Sequence, residues 1–274
     1  MLTEITIDTA RERLASCSPA LYREILEQMQ VPPFLLGRVK AYEREAVLAV
    51  RLPLFCMGSF DADSWVICAL RAVEEADDAG IEQMIREIRP LLREGDSLSV
   101  CVPGKLPEKW IPEEGVKYYS ALGAAGETDP HIRELEDIAP LDRMAEDFFP
   151  LTEEEPGGGR EYARMLVNDM TFSIEDRINT GETDYRIFGW WDGDTLAGAV
   201  SVKRSDVILI CNLYVLPRYR RMGIGRALLR AALTLYPGET YAYSHVRENE
   251  NSGKTARSAG FVPEGETGKL TDTK

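Results

Sequence analysis

The stretch LPRYRRMGIGRALLRAAL, Leu216–Leu233, sets two arginines and two glycines at the head of a run of helix-forming residues. Before it, VILICNLYV, Val207–Val215, is rich in β-branched and aromatic side chains and reads as a strand. The local unit is strand, turn, helix. Pro217 ends the strand, Gly223 and Gly225 let the backbone come close to a ligand, and Ala227, Leu228, Leu229, Ala231, Ala232 and Leu233 give the helix an apolar face. The first amides of such a helix have no partner inside it. Those donors, the positive end of the helix dipole and the side chains of Arg220 and Arg221 all favour an anion at this spot.

Three phosphate-binding loops begin this way, and spacing separates them. The dinucleotide fingerprint G-x-G-x-x-G needs a third small residue, but Gly223-Ile224-Gly225 is followed by Arg226, Ala227 and Leu228. A P-loop needs G-x-x-x-x-G-K-[ST]; Gly253-Lys254-Thr255 supplies its end, yet Glu248 stands where the first glycine belongs and no apolar strand leads into it. What remains is R-x-x-G-x-G, Arg220–Gly225, after a strand ending LYVLP.

This motif resembles the coenzyme-A-binding loop of the GNAT N-acetyltransferase superfamily. A second block agrees: YAYSHVREN (Tyr241–Asn249) followed by SAGF (Ser258–Phe261) is similar to that family's fifth strand, the asparagine after it and the Gly-Phe that opens its next strand. The resemblance implies an α+β fold with a central mixed sheet flanked by helices. It also implies an enzyme, an acetyl-CoA-dependent N-acetyltransferase, with acetyl-CoA as cosubstrate and a primary amine of a small molecule or peptide as acceptor, attacked directly in a ternary complex.

The rest of the chain bounds this expectation. At 274 residues there is room for two domains, and 44% hydrophobic content without a long apolar run excludes a membrane span. The first residues, MLTEITIDTARERL, lack the basic start and apolar core of a signal peptide, and five scattered cysteines with two histidines suggest neither disulfides nor a metal site. A cytoplasmic protein is expected, monomer or homodimer. The net charge of −14 argues against nucleic acid and anionic membrane and is compatible with a cationic acceptor, although it also serves solubility alone.

An internal repeat also emerges. A shift of 143 positions lays Val66–Val102 on Leu209 onward without a gap, matching Ile67 to Ile210, Cys68 to Cys211, Leu70 to Leu213, Gly80 to Gly223, Ile81 to Ile224 and Gly95 to Gly238. The differences bear on function. Asp77, Asp78 and Glu82 replace Arg220, Arg221 and Gly225, so the corresponding loop would repel a pyrophosphate. The expected organisation is tandem: a degenerate GNAT-like domain over 1–125 and a GNAT acetyltransferase domain over 126–274, divided at the turn-rich Gly123–Pro130.

Coarse elements follow. Asp8–Gln30 reads as one or two helices, Ala46–Phe60 and Trp65–Val73 as strands, Ile81–Leu92 as a helix, and Ser97–Val102 and Val116–Leu122 as strands. In the second half, residues 131–138 resemble the family's first strand and 139–150 its first helix, 152–161 is a glycine-rich loop, and 161–178 is helical. Residues 185–202 form a hairpin turning at Asp192-Gly193-Asp194. After Phe261 the sequence leaves room for one strand, so the first domain either supplies the missing sheet edge or the edge stays open.

By resemblance, the fourth strand bulges and splays from the fifth, and the pantetheine arm fills the gap. The backbone of Leu213, Tyr214 and Val215 would pair with that arm. Amides and side chains of Arg220, Arg221, Met222, Gly223, Ile224, Gly225 and Arg226 would hold the pyrophosphate, with Asn249 and Ser252 beside the arm. The chain departs from the family at Ala256, where many members place the tyrosine that protonates the departing thiolate. Tyr214, Tyr241 or water is left for that role, and Glu175 or His245 for the base. Trp190, Trp191, Phe172 and Tyr185 are candidates for an acceptor pocket or for core. A non-catalytic acyl-CoA-binding sensor or interaction module is the alternative reading, and a ligand-free structural duplicate a third.

Overall fold

The computed structural model describes residues 2–30, 33–56, 59–71, 78–110, 115–137, 139–141, 143, 168–173, 175–176, 179–181 and 183–270. Two compact units divide the chain, one made of Met1–Tyr118 with Pro263–Lys274 and the other of Tyr119–Val262.

In the first unit, β1 (Thr3–Ile5), β2 (Lys40–Arg44), β3 (Val47–Cys56) and β4 (Ser59–Ala69) form an antiparallel meander, and β5 (Ser97–Pro103) joins β4 in parallel. Parallel neighbours need a crossover, here α3 (Asp78–Ile88), whose Ile81, Met84 and Ile88 are buried at helical spacing. Alternation along β3 turns Val47 and Ala49 toward α3, and Leu48, Val50 and Leu52 toward α1 (Ile7–Cys17) and the residues that follow it. Thr6 caps α1 by accepting a hydrogen bond from the Thr9 amide at 3.1 Å, and α2 is the short Arg23–Gln28.

Two departures from the sequence reading have physical causes. Strand β4 begins at Ser59, through the polar run Asp61–Ser64, because the fully buried Asp63 carboxylate is met by Arg38 at 2.7 Å, by Arg51 at 2.7 Å and by Arg93. A charge run reads as loop unless its partners are known. The last strand, β12 (Val262–Leu270), was expected in the second domain, but from Pro263 it belongs to the first unit, antiparallel to β5 from Gly265↔Pro103 to Leu270↔Leu98. Its glycines permit this. A Cβ at Gly265 would lie 2.2 Å from the Val102 carbonyl oxygen, and one at Gly268 2.1 Å from that of Trp110.

The second unit repeats the plan: β7 (Ile132–Glu134), β8 (Tyr185–Asp192), β9 (Thr195–Lys203) and β10 (Ile208–Val215) run antiparallel. Helix α4 (Ile224–Leu233) crosses to β11 (Thr240–Val246), parallel to β10. Helix α5 (Glu250–Ala259) follows, and Tyr119–Leu122, the end of β6 (Gly115–Leu122), flanks β11. The β8–β9 hairpin turns at the expected Asp-Gly, with Gly193 at φ +58°. Helical residues 168–173 and 175–176 fall within the expected 161–178 helix. The glycine-rich loop, most of the 139–150 helix and Asp77 lie outside the described residues.

The parallel registers repeat as well. Trp65↔Leu98, Val66↔Ser99 and Ile67↔Val100 become, on adding 143, Ile208↔Tyr241, Leu209↔Ala242 and Ile210↔Tyr243, which are the observed pairs of β10 with β11. No described helix is long and apolar enough to cross a membrane, and no described group of His, Cys, Asp and Glu is arranged to hold a metal.

Candidate active site

The two units part company one residue beyond that shared register. In the first, pairing continues to Cys68↔Cys101, both thiols buried. In the second, pairing of β10 with β11 stops at Ile210↔Tyr243, while β10 runs on to Val215. The cause is a bulge at Cys211, where the register with β9 shifts between Ile210 and Asn212. One extra residue bends the strand and exchanges its faces. Ile208 and Ile210 pack with the α4 cluster before the bulge, Leu213 and Val215 after it, and Tyr214 turns to the opposite face with Leu135, Leu141, Met170 and Ile187. The result is a wedge between β10 and β11 with strand backbone on one side.

The Arg220–Arg226 loop closes the end of that wedge. Gly223 adopts φ +84°, ψ 0° as the α4 N-cap, and Arg221, at φ +66°, takes a left-handed conformation rare for a side-chain-bearing residue. Among the described residues no group accepts from the amides of Met222–Arg226, which stand at the helix start as open donors. Gly225 lets the first turn of α4 close on α5: a Cβ there would sit 3.1 Å from Thr255 Cγ2 and 3.8 Å from Val215 Cγ2. Arg220 Nε donates to the Val215 carbonyl at 3.0 Å, tying the loop to the strand end, with its guanidinium 5.4 Å from the Tyr214 ring centre. Arg218, Arg221 and Arg226 are exposed around the same turn. The chain thus concentrates positive charge and open N–H groups at one helix start, an arrangement that favours an anion.

Helix α5 forms the other wall. Asn249 is its N-cap, and its side chain accepts from the Ser252 amide at 3.2 Å. Ser252 shares a short hydrogen bond with the Tyr243 hydroxyl. Ala256 lies one turn further on the same face, fully buried, so no phenol stands there.

The proposed acid–base residues are placed elsewhere. His245 is buried, with Nδ1 2.7 Å from the Val246 carbonyl oxygen and Nε2 3.3 Å from Tyr119 Oη, which also accepts from Arg257 at 3.2 Å. Nδ1 therefore carries the proton and Nε2 accepts from Tyr119, a network that serves packing under α5. Gly253 exists for this pair, since a Cβ would come 2.7 Å from Tyr119 Oη and 2.8 Å from His245 Nε2. The P-loop-like Gly253-Lys254-Thr255 is inside α5 and holds no phosphate loop. Tyr241 donates to the Ala232 carbonyl at 2.9 Å and accepts from the Tyr236 amide, fixing the far end of α4, and burial pushes its phenol up to about 12. The Tyr214 hydroxyl is buried on the face away from α4, and Glu175 is exposed. Nor do the four aromatics make one wall: Phe172 and Tyr185 stack at 5.9 Å at the start of β8, whereas Trp190 stacks on His131 at 4.9 Å and Trp191 lies under Arg133 near the other end.

Sequence reasoning missed Asp169. Its Oδ2 accepts from Ser201 Oγ at 2.6 Å and from Asn212 Nδ2 at 2.6 Å, immediately after the bulge. Burial raises its pKa above the ordinary carboxylate value, opposed by those two hydrogen bonds and by the charge of Lys203.

The sequence profile of the Acetyltransferase (GNAT) family matches residues 144–261. Among solved structures, a GCN5-related N-acetyltransferase from Sphaerobacter thermophilus is similar at 13% identity over 100% of this chain and 96% of that one, with a TM-score of 0.50. A GNAT-family acetyltransferase from Colwellia psychrerythraea is similar at 12% identity, covering 99% and 100% of the two chains, with a TM-score of 0.46. No curated protein matches the chain. At 13% identity the likeness to the Sphaerobacter thermophilus structure speaks for fold alone. Residues 144–261, which hold the bulged strand, the arginine-glycine loop and helices α4 and α5, match the Acetyltransferase (GNAT) family.

Proposed function

We propose that the second unit binds acetyl-CoA and transfers its acetyl group to a primary amine, with residues 126–274 as the functional half and 1–125 as a degenerate copy. The observation that carries this reading is the conjunction, on consecutive residues, of a bulged strand that parts from its parallel neighbour and a helix start with open amides. Beyond Ile210 no described strand pairs with β10 on the β11 side, so an extended amide-bearing arm would continue the ladder along Leu213–Val215. An amide of that segment then polarises the thioester carbonyl, and the Arg220–Arg226 loop takes the pyrophosphate. With alanine at 256, Ser252, bonded to Tyr243, is the α5 hydroxyl placed to return a proton to the thiolate.

In the first unit the equivalent space is filled. The Tyr22 hydroxyl bonds the Ala69 carbonyl and Cys17 Sγ lies 3.3 Å from the Leu70 carbonyl oxygen, at the positions that the repeat matches to Asn212 and Leu213. Glu82, the counterpart of Gly225, pairs with Lys109 at 2.7 Å. The described residues of that unit therefore offer no second acetyl-CoA site.

The absent phenol at Ala256 favours the second reading, an acyl-CoA sensor. Release of free thiol from acetyl-CoA in the presence of a panel of primary amines separates the two: amine-dependent release supports transfer, and saturable binding without release supports the sensor.

A further inference from the structure

A thioester carbonyl held in the sheet by a β10 amide accepts that hydrogen bond near its own plane, so the plane lies close to that of the sheet. A nucleophile approaches perpendicular to the carbonyl plane and must come from one of the two sheet faces. On one face α4 and α5 press Leu228, Ala256 and Phe261 against Ile210 and Tyr243. The other face, over the bulge, carries Asn212, Ser201 and Asp169.

Asp169 is held there with one oxygen committed. Both donors, Ser201 from β9 and Asn212 from β10, bind Oδ2, and among the described residues no group donates to Oδ1. The carboxylate is partly exposed, and Lys203 on β9 is the charged group among the described residues whose field reaches it. One turn along the same helical stretch, Phe172 stacks on Tyr185 at the start of β8. An ammonium entering from this face meets a fixed carboxylate oxygen one residue from the backbone expected to hold the acyl arm.

We propose that Asp169 is the catalytic carboxylate of the acceptor site: its Oδ1 pairs with the substrate's ammonium and takes its proton. This rests on the acetyl-transfer reading. The step balances without another reagent. One proton passes from the ammonium to Asp169, the freed nitrogen lone pair forms the N–C bond, and the carbonyl π electrons move to oxygen. On collapse the oxyanion electrons re-form the carbonyl, the C–S bond breaks with its electrons on sulfur, the nitrogen's second proton passes through water to the thiolate, and Asp169 gives its proton to bulk water. A raised pKa suits the task, since a carboxylate that resists ionisation is a stronger base.

The test uses the full chain with acetyl-CoA and three amines, spermidine, phenethylamine and a lysine-containing tripeptide, on wild type, Asp169→Asn and Asp169→Glu. Asparagine keeps the shape and can still accept from Ser201, so its melting curve should show an intact fold. The expected result is a kcat/KM lower by about 100-fold or more in Asp169→Asn, partial recovery in Asp169→Glu, and unchanged acetyl-CoA affinity by calorimetry. The deficit should shrink as pH approaches the amine's own pKa, where the substrate no longer needs a base. A deficit constant with pH, no deficit, or a wild type that binds acetyl-CoA yet acetylates none of the three amines would overturn the proposal. Absence of acetyl-CoA binding would instead remove the acetyl-transfer reading on which it stands.

Discussion

At the scale of single residues, the loop glycines were legible and the carboxylate was not. Gly223 and Gly225 sit in an uninterrupted motif whose chemistry is local, so spacing alone was enough to propose a place for an anion. Asp169 acquires its role from Ser201 and Asn212, separated from it by 32 and 43 positions, and no pattern along the chain links them. His245 stayed open between base and structural histidine for the same reason, because its partner Tyr119 lies 126 positions away. Two predictions follow at this scale. Burial holds the Asp169 pKa above the unfolded value of about 3.9. Stability from such a group is fully present below the unfolded pKa and is lost as pH rises through the folded one. The Asp169→Asn variant should therefore melt above wild type at pH 7 and converge with it in acid; scanning calorimetry across pH reads this, and a lower melting point of the variant at neutral pH contradicts it. The His245→Phe variant should lose about 1–3 kcal/mol of stability by denaturant unfolding, through the acceptor lost to the Tyr119 O–H and the donor lost to the Val246 carbonyl, while keeping its acetyl-CoA affinity.

At the scale of elements, strands and helices with regular apolar spacing were readable, as was the Asp192-Gly193 hairpin. A bulge in this strand was expected by resemblance, but its place at Cys211 left no sequence signal, because it is a mismatch between two strands and neither strand shows it alone. Its exposed thiol gives a direct reading: acetyl-CoA should slow alkylation of Cys211, whereas Cys68 and Cys101, buried and with pKa values raised by that burial, should stay unreactive throughout. Peptide mapping by mass spectrometry follows both, and equal labelling of Cys211 with and without ligand would place the ligand elsewhere. The last strand was visible as a strand, but its partner was not. Its glycines at 265 and 268 were the available clue, since each marks a close approach to another chain segment. Replacing Gly268 with alanine should cost about 1–3 kcal/mol, because a Cβ there would lie 2.1 Å from the Trp110 carbonyl oxygen.

At the scale of the whole molecule, one supersecondary plan appears twice, β-meander, crossover helix and parallel strand, with the parallel register repeated residue for residue. Among the described residues the parallel pair opens in the second unit and not in the first, and the sequence after it carries arginines where the first carries carboxylates. The repeat was legible from matched apolar positions, and the charge reversal told which copy to trust. The net charge of −14 leaves the arginine turn as a local anion site within an acidic protein, a setting that favours a cationic acceptor. The central claim is one acetyl-CoA site per chain, on the Arg220–Arg226 loop. Calorimetric titration of acetyl-CoA into wild type and into Arg220→Glu/Gly225→Glu, which copies the charge character of the first unit's loop, tests it most directly. The account predicts one equivalent bound by wild type and none by the double variant; two equivalents, binding that survives the substitutions, or none in wild type would contradict it.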